Sequence, residues 1–222
     1  MKQTLLRIAL PRGKTLYPTD FRRLMAKQPG VPDDLFHYTD GKPSNGRPAV
    51  RFVGARGWVG IIADEENSPL IVELMGCAVR GAMDHCGCVV QAQIEEHEMG
   101  LTLSHAPKQY WISEMALKAR YRRSREMDVG ELAKERLLAA IESISARYGF
   151  DCPPASELGI ELEVKRTLGM PIGKGTGPVD EYVTLVNAEF MIHADLKGMW
   201  FAGNLTARGY GRIGTFLPGS VR

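Results

Sequence analysis

No stretch of this sequence stays apolar and uncharged for the roughly 18 residues that a membrane-spanning helix needs. The N-terminal run Leu5 to Leu10 is too short for a secretory signal core, Arg7 interrupts it, and no small-residue cleavage site follows. A cytoplasmic protein is expected, with no membrane partner. Cysteine is also scarce, with four in 222 residues. They are Cys77, Cys86, Cys88 and Cys152; a chain this long has no need of a disulfide framework, and the expected compartment keeps thiols reduced. His85-Cys86-Gly87-Cys88 is tighter than the usual Cys-x2-Cys of a zinc site and has no second ligand pair, so buried free thiols are expected and no metal. Excess charge is missing too: the formal net charge is +2, so any anionic partner must be met by local clustering rather than overall basicity. Zinc-protease, nucleophile-elbow and dinucleotide fingerprints are absent. Gly169 to Thr176 resembles a phosphate-binding loop, but its gap is one residue short and Gly175 separates Lys174 from Thr176, so a glycine-rich β-hairpin is expected there.

The chain does contain a globular share of apolar residues, 44%, with 24% charged. Gln3 to Leu10 reads as a strand, and Pro18-Thr19 opens a helix with Phe21, Leu24 and Met25 on one face, closed by Pro29-Gly30. Ala49 to Val53 and Trp58 to Ala63 form a hairpin around Gly54-Ala-Arg-Gly57. Ser68-Pro69 starts a second helix, with Ser68 as N-cap, that carries Leu70, Leu74, Cys77 and Ala78 to Gly81 or slightly beyond. Cys88 to Ile94 and Leu101 to Ser104 are further strands. The order β-α-β-β-α-β is that of a ferredoxin-like α+β unit. From Ser113 to Tyr148 the pattern becomes helical: a first helix spans about Ser113 to Glu126, then Asp128 and Glu131 cap a second that ends at Gly149. Strands return over Ile160 to Val164, Tyr182 to His193 and Met199 to Ala202. The expected organisation is a ferredoxin-like domain over 1–106, an arginine-rich helical insertion over 107–152, and a degenerate, β-rich second half over 153–222.

Two segments carry chemistry. In LKARYRRSR, the cations Lys118, Arg120, Arg122, Arg123 and Arg125 occur without an acid, and Tyr121 lies among them. Like charges at helical spacing repel, and an anionic partner relieves that repulsion. Arginines offer phosphate bidentate contacts, and Tyr121 offers a base a stacking surface. The competing reading is a solvated helix partly neutralised by Glu114 and Glu126. In the glycine-rich segment Gly203 to Gly214, Gly209 and Gly211 permit close backbone approach while Arg208 and Arg212 add charge.

A ferredoxin-like unit followed by a C-terminal GNLTARGYGRIG resembles the repeat-associated (RAMP) superfamily of CRISPR systems, above all its repeat-processing endoribonucleases. The arginine-rich insertion resembles the helical finger of the type IV processing enzymes. The resemblance implies a metal-independent endoribonuclease, with no cofactor, that binds a CRISPR repeat hairpin, cuts at its base and stays on the mature crRNA. It also implies other CRISPR effector subunits as partners. The 2′-hydroxyl attacks the adjacent phosphate, leaving a 2′,3′-cyclic phosphate and a 5′-hydroxyl. A second reading within the superfamily is a non-catalytic subunit that holds guide RNA. A third is an unrelated ferredoxin-like protein whose charged helices bind another protein.

Candidate catalytic residues follow from position. His37 lies in the polar loop after the first helix, where family members commonly carry a catalytic histidine, and histidine is the side chain whose unperturbed titration falls near neutrality. Tyr38 is placed to orient a group or donate a proton. Arg23, or its neighbour Arg22, is placed to stabilise charge on the phosphate. The alternative for Phe36-His37-Tyr38 is packing of the loop on the sheet. Lys118, Arg120, Tyr121, Arg122, Arg123, Arg125, Lys174, Arg208, Gly209, Gly211 and Arg212 are the expected RNA contacts.

Overall fold

The structure is a computed structural model and describes residues 1–32, 35, 38–39, 42–43, 48–118, 128–172 and 181–215. The chain divides into two compact units, Met1–Glu98 with Ala207–Gly209, and Met99–Thr206 with Tyr210–Arg222.

In the first unit β1 (Lys2–Ala9), β2 (Val50–Ala55), β3 (Trp58–Asp64) and β4 (Gln91–Glu98) form one antiparallel sheet in the order β2-β3-β1-β4. That is the ferredoxin-like order expected. Helices α1 (Pro18–Met25) and α2 (Ser68–Cys86) pack on it: Phe21 and Met25 of α1, with Ile71, Leu74, Ala78 and Ala82 of α2, share a core with Leu6, Ile8, Phe52 and Ile61. α1 has Tyr17 as its N-cap and Pro18 as its first helical residue, because Pro18 presets the helical φ and has no N–H to leave unsatisfied. α2 likewise has Asn67, not Ser68, as its N-cap, and a 3-10 turn over Glu65–Asn67 precedes it. It also continues past Gly81, which is buried against Leu24 of α1, and stops at Gly87 in the left-handed conformation. That extension displaces the next strand from the expected Cys88 start to Gln91. Cys77 and Cys86 are buried thiols as expected, whereas Cys88, just beyond the helix, is exposed and Cys152 is half-buried.

The second unit is built on β5 (Gly100–Leu117), α3 (Val129–Tyr148), β6 (Glu161–Ile172), β7 (Glu181–Lys197), β8 (Trp200–Phe201) and β9 (Arg212–Thr215). A one-turn helix, α4 (Ala155–Leu158), precedes β6. The sheet order is β8-β9-β5-β7-β6. Leaving out the short β8, the order is again that of a ferredoxin-like unit, with the glycine-rich segment and its 3-10 turn Thr206–Arg208 in place of the second helix. The second unit thus draws on β5 and α3 as well as on the residues 153–222 expected to form a β-rich half. α3 buries Leu132, Leu137, Ile141 and Tyr148 against Ile112, Phe190, Ile192 and Trp200. Asp128 caps it by accepting a hydrogen bond from the Gly130 N–H at 2.8 Å, and Gly149 at φ +68° closes it.

One expectation is overturned. Ser113 to Leu117 do not begin a helix but form the end of β5, an 18-residue strand. Ser113 pairs with Arg212 of β9 and Leu117 with Thr184 of β7, while Met115, Ala116 and Leu117 are buried. Pairing and burial outweigh the helical propensity of Glu-Met-Ala-Leu. The remainder of that expected helix lies outside the described residues.

Candidate functional site

The first unit holds the candidates on α1. Arg23 sits in the last turn with its side chain 76% exposed, held by a 2.9 Å ion pair to Asp20 one turn earlier. Because both groups face water, this pairing leaves the guanidinium available to a stronger anion. Tyr38 and Thr39 form a two-residue ladder with Lys42 and Pro43. His37 lies outside the described residues. The short run Ala207–Gly209 joins this unit at the start of α1. Gly209, at φ +90°, stands where a Cβ would come within 2.6 Å of the Pro18 Cβ and 2.7 Å of the Phe52 carbonyl oxygen. That contact seats the exposed Arg208 beside the first turn of the helix that carries Arg22 and Arg23.

In the second unit, strand register brings together the described residues from which two cationic segments continue. Thr184 of β7 lies between Leu117 of β5 and Gly169 of β6. β5 therefore hands the chain to the basic run at the same end of the sheet from which the β6–β7 hairpin continues. The hairpin is the one expected and pairs out to Ile172 opposite Glu181. Its turn, residues 173–180 with Lys174, lies outside the described residues. So do Arg120, Tyr121, Arg122, Arg123 and Arg125, but the roots of both segments are neighbours.

The glycine-rich loop is fastened to that end as well. Asn204 donates its backbone N–H to the Ala116 carbonyl at 2.8 Å, and its side-chain oxygen accepts the Lys118 N–H at 3.1 Å. Leu205, at φ +59°, and Tyr210 pack on Ala116, Val183 and Leu185, and the Tyr210 hydroxyl meets the Met170 sulfur at 3.3 Å. Beside it β5 carries a bulge, where Glu114 takes φ +50° and its N–H is held by the Asn187 side-chain oxygen at 2.9 Å. Asn187 and Asn204 were not singled out by sequence. An Asn after a glycine, as at Gly203-Asn204, signals turn chemistry but not which strand it grips.

Gly211 serves the protein's own backbone. At φ +74°, a Cβ there would fall 1.8 Å from the Ala202 carbonyl oxygen. Arg212, on β9, has its cation 5.9 Å from the Trp111 ring, and burial lowers its pKa from the usual arginine value. It pairs with Ser113, on the order of 15 Å along β5 from Lys118.

Residues 1–217 match the family described as type IV CRISPR-associated endonuclease Csf5. The chain belongs to that family. It is also similar to a solved structure titled Csf5, CRISPR-Cas type IV Cas6 crRNA endonuclease, at 30% identity and a TM-score of 0.82, covering 98% of this chain and 100% of that one. Two Cas6b crystal structures, one described as a CRISPR RNA processing endoribonuclease, match at 16% and 14% identity. Their TM-scores are 0.58 and 0.57 over 97% of this chain and 100% of theirs, a likeness of fold. No match was found among curated protein sequences. Membership in this endonuclease family removes the reading of an unrelated ferredoxin-like protein. No helix among the described residues is long and apolar enough to cross a membrane.

Proposed function

We propose that this family member binds the hairpin of a CRISPR repeat RNA, cleaves at its base without a metal ion, and stays on the mature crRNA as it joins other effector subunits in the cytoplasm. The observation that carries the binding half is the register around Thr184, which roots the basic run and the Lys174 turn side by side. Cations concentrated at one sheet end serve a duplex better than cations scattered over a surface, because each phosphate neutralised releases counterions. Lys118, Arg120, Arg122, Arg123, Arg125 and Lys174 supply phosphate contacts in this reading, and Tyr121 stacks on a base. Arg208 in the first unit and Arg212 in the second add further cations for RNA in this reading, with Gly209 and Gly211 shaping the backbone beside each.

Cleavage uses the RNA's own nucleophile. A base takes the 2′-hydroxyl proton, the oxygen attacks the adjacent phosphorus, and the 5′-oxygen leaves with a proton from an acid. A phosphate oxygen gains charge in the transition state, and a guanidinium placed there lowers the barrier. His37 fits the acid or base, Tyr38 orients it or donates the proton, and Arg23 is the cation. Since the attacking oxygen belongs to the substrate, no metal-activated water is required.

The test is incubation with a repeat hairpin in EDTA, followed by end-group analysis. The expected products carry a 2′,3′-cyclic phosphate and a 5′-hydroxyl, and a 2′-deoxynucleotide at the scissile position abolishes them. Tight binding without cleavage supports a guide-holding subunit instead. Cleavage that persists with the 2′-deoxy substrate, or that stops in EDTA, overturns the chemistry.

A further inference from the structure

Helix α2 buries Ile71, Leu74, Ala78 and Ala82 against the first sheet. At about 3.6 residues per turn, the middle of its opposite, outward side falls at Gly76. This glycine is exposed, and a Cβ there would meet nothing closer than an Arg80 guanidinium nitrogen at 3.7 Å, an ordinary contact. Glycine is the poorest helix former after proline, and nothing in the chain's own packing requires one at this position. What it permits is the close approach of another backbone.

The two flanks of Gly76 differ. On one lie Val72, 60% exposed, and Met75, 38% exposed, beside the half-buried Val79. On the other lie Glu73 and Arg80, both exposed, one turn before and one turn after the glycine. Arg80 donates to the Cys77 sulfur at 3.2 Å, a weak acceptor that leaves the remaining guanidinium N–H groups for other contacts. Asp84, further along the charged flank, accepts from the Gln28 side chain at 3.2 Å.

This pattern is self-complementary. A twofold axis relating two antiparallel helices reverses the chain direction but keeps each flank against the same flank of the other copy. With the axis at Gly76, Glu73 of each copy faces Arg80 of the other, and Val72 of each lies near Val79 of the other. A parallel pair would instead set the apolar flank against the charged one.

We propose that the outward face of α2 is a self-association surface, on which two copies of this chain pair antiparallel with their helices crossing at Gly76. Exposed ion pairs add little affinity, but like charges in register are penalised, so Glu73 and Arg80 fix direction and register while the apolar flank supplies contact. A single helix pair is smaller than the roughly 1,200–2,000 Å² of a stable interface, so the association follows concentration rather than being permanent. It is independent of RNA.

The test is sedimentation velocity of the full chain without RNA over about 1–500 µM, in which the average mass rises toward twice that of the monomer. Glu73→Arg and Arg80→Glu, each alone, place like charges opposite one another and weaken association by about tenfold or more. An equimolar mixture of these two variants recovers it to within about threefold, and so does the protein carrying both exchanges, because opposite charges face again in each case. Gly76→Leu stays monomeric with a melting temperature at or above wild type, since the helix gains a better former. Thermal melts of the other variants, all altered at exposed positions, establish that they are folded. Wild type that remains monomeric throughout the range overturns the proposal and leaves this face to a different subunit. A dimer indifferent to the single exchanges or to Gly76→Leu overturns it too, as does a mixture of the two charge variants that fails to recover association.

Discussion

The side-chain oxygen of Asn204 accepts the backbone N–H of Lys118 at 3.1 Å, across 86 residues of sequence. This bond ties the glycine-rich loop to the first residue of the basic run. Asn204→Ala removes the acceptor while keeping the backbone bond from residue 204 to Ala116. A stability loss of about 1 kcal/mol is expected in urea melts. RNA affinity falls because the root of the run loosens, but the salt dependence keeps its slope, since no cation is lost. An altered slope would show that the variant changes the number of phosphate contacts instead.

Arg120, Arg122, Arg123 and Arg125 contribute that slope. Replacing all four with alanine should leave the melting temperature close to wild type and reduce the slope of log affinity against log salt by about three. Filter binding at several salt concentrations checks this. An unchanged slope removes the run from the RNA surface.

Gly211 lies against the Ala202 carbonyl, so Gly211→Val acts on folding before it acts on RNA. The positive φ and the backbone collision together cost upwards of about 3 kcal/mol. Poor solubility or a strongly lowered melting temperature is expected. A stable Gly211→Val protein with weakened RNA binding would instead place this glycine at the RNA.

These positions show what could be read from sequence. The glycines announced a close approach, but only the fold shows that Gly209 and Gly211 meet the protein's own backbone carbonyls. Local signals worked where the cause was local: the Asp128 cap, the Gly149 stop and the hairpin at Gly54 to Gly57 all form as expected. They failed at β5, where the alternation breaks at His105, Ala106 and Pro107. A register shift between Leu103 and Lys108 absorbs that break, and the strand continues to Leu117. The second ferredoxin-like order was not legible as a repeat, because a glycine-rich segment replaces its second helix. The convergence at Thr184 joins residues of three strands and has no signature in any one of them.

Tyr110 gives a pH-dependent prediction. Its hydroxyl accepts the Leu196 N–H at 2.8 Å and contacts an Asp195 carboxylate oxygen at 3.2 Å. Burial, the largest cause, raises its pKa above the usual tyrosine value; the Asp195 carboxylate adds to this and the Leu196 bond opposes it. The folded state thus holds this proton more tightly than the unfolded chain. Its contribution is complete below the ordinary tyrosine pKa of about 10 and is lost as pH rises toward the raised folded value. Tyr110→Phe should cost about 1–2 kcal/mol at neutral pH and flatten the alkaline fall in stability. Parallel stability curves for the two proteins above pH 10 would contradict this.

The catalytic assignment makes the sharpest demand, because it separates chemistry from binding. If His37 carries a proton in the reaction, His37→Ala slows single-turnover cleavage by about 10²–10⁴-fold. Binding survives, since one neutral imidazole adds little beside a cluster of arginines. Arg23 acts by its charge and its planar fork rather than by carrying a proton. Its exchange partner Asp20 is weakly held at the surface, so Arg23→Ala costs little stability, yet cleavage slows as the phosphate loses its cation. Arg23→Lys restores part of the rate, because a point charge replaces the planar fork. The pH–rate profile separates the two roles: the limb near neutrality disappears in His37→Ala and persists in Arg23→Ala. Rates measured with protein in saturating excess exclude an affinity effect. Near-normal cleavage by His37→Ala with a large loss in Arg23→Ala would move the chemistry to an arginine-based site, in which charge stabilisation and alignment of the 2′-oxygen supply most of the acceleration.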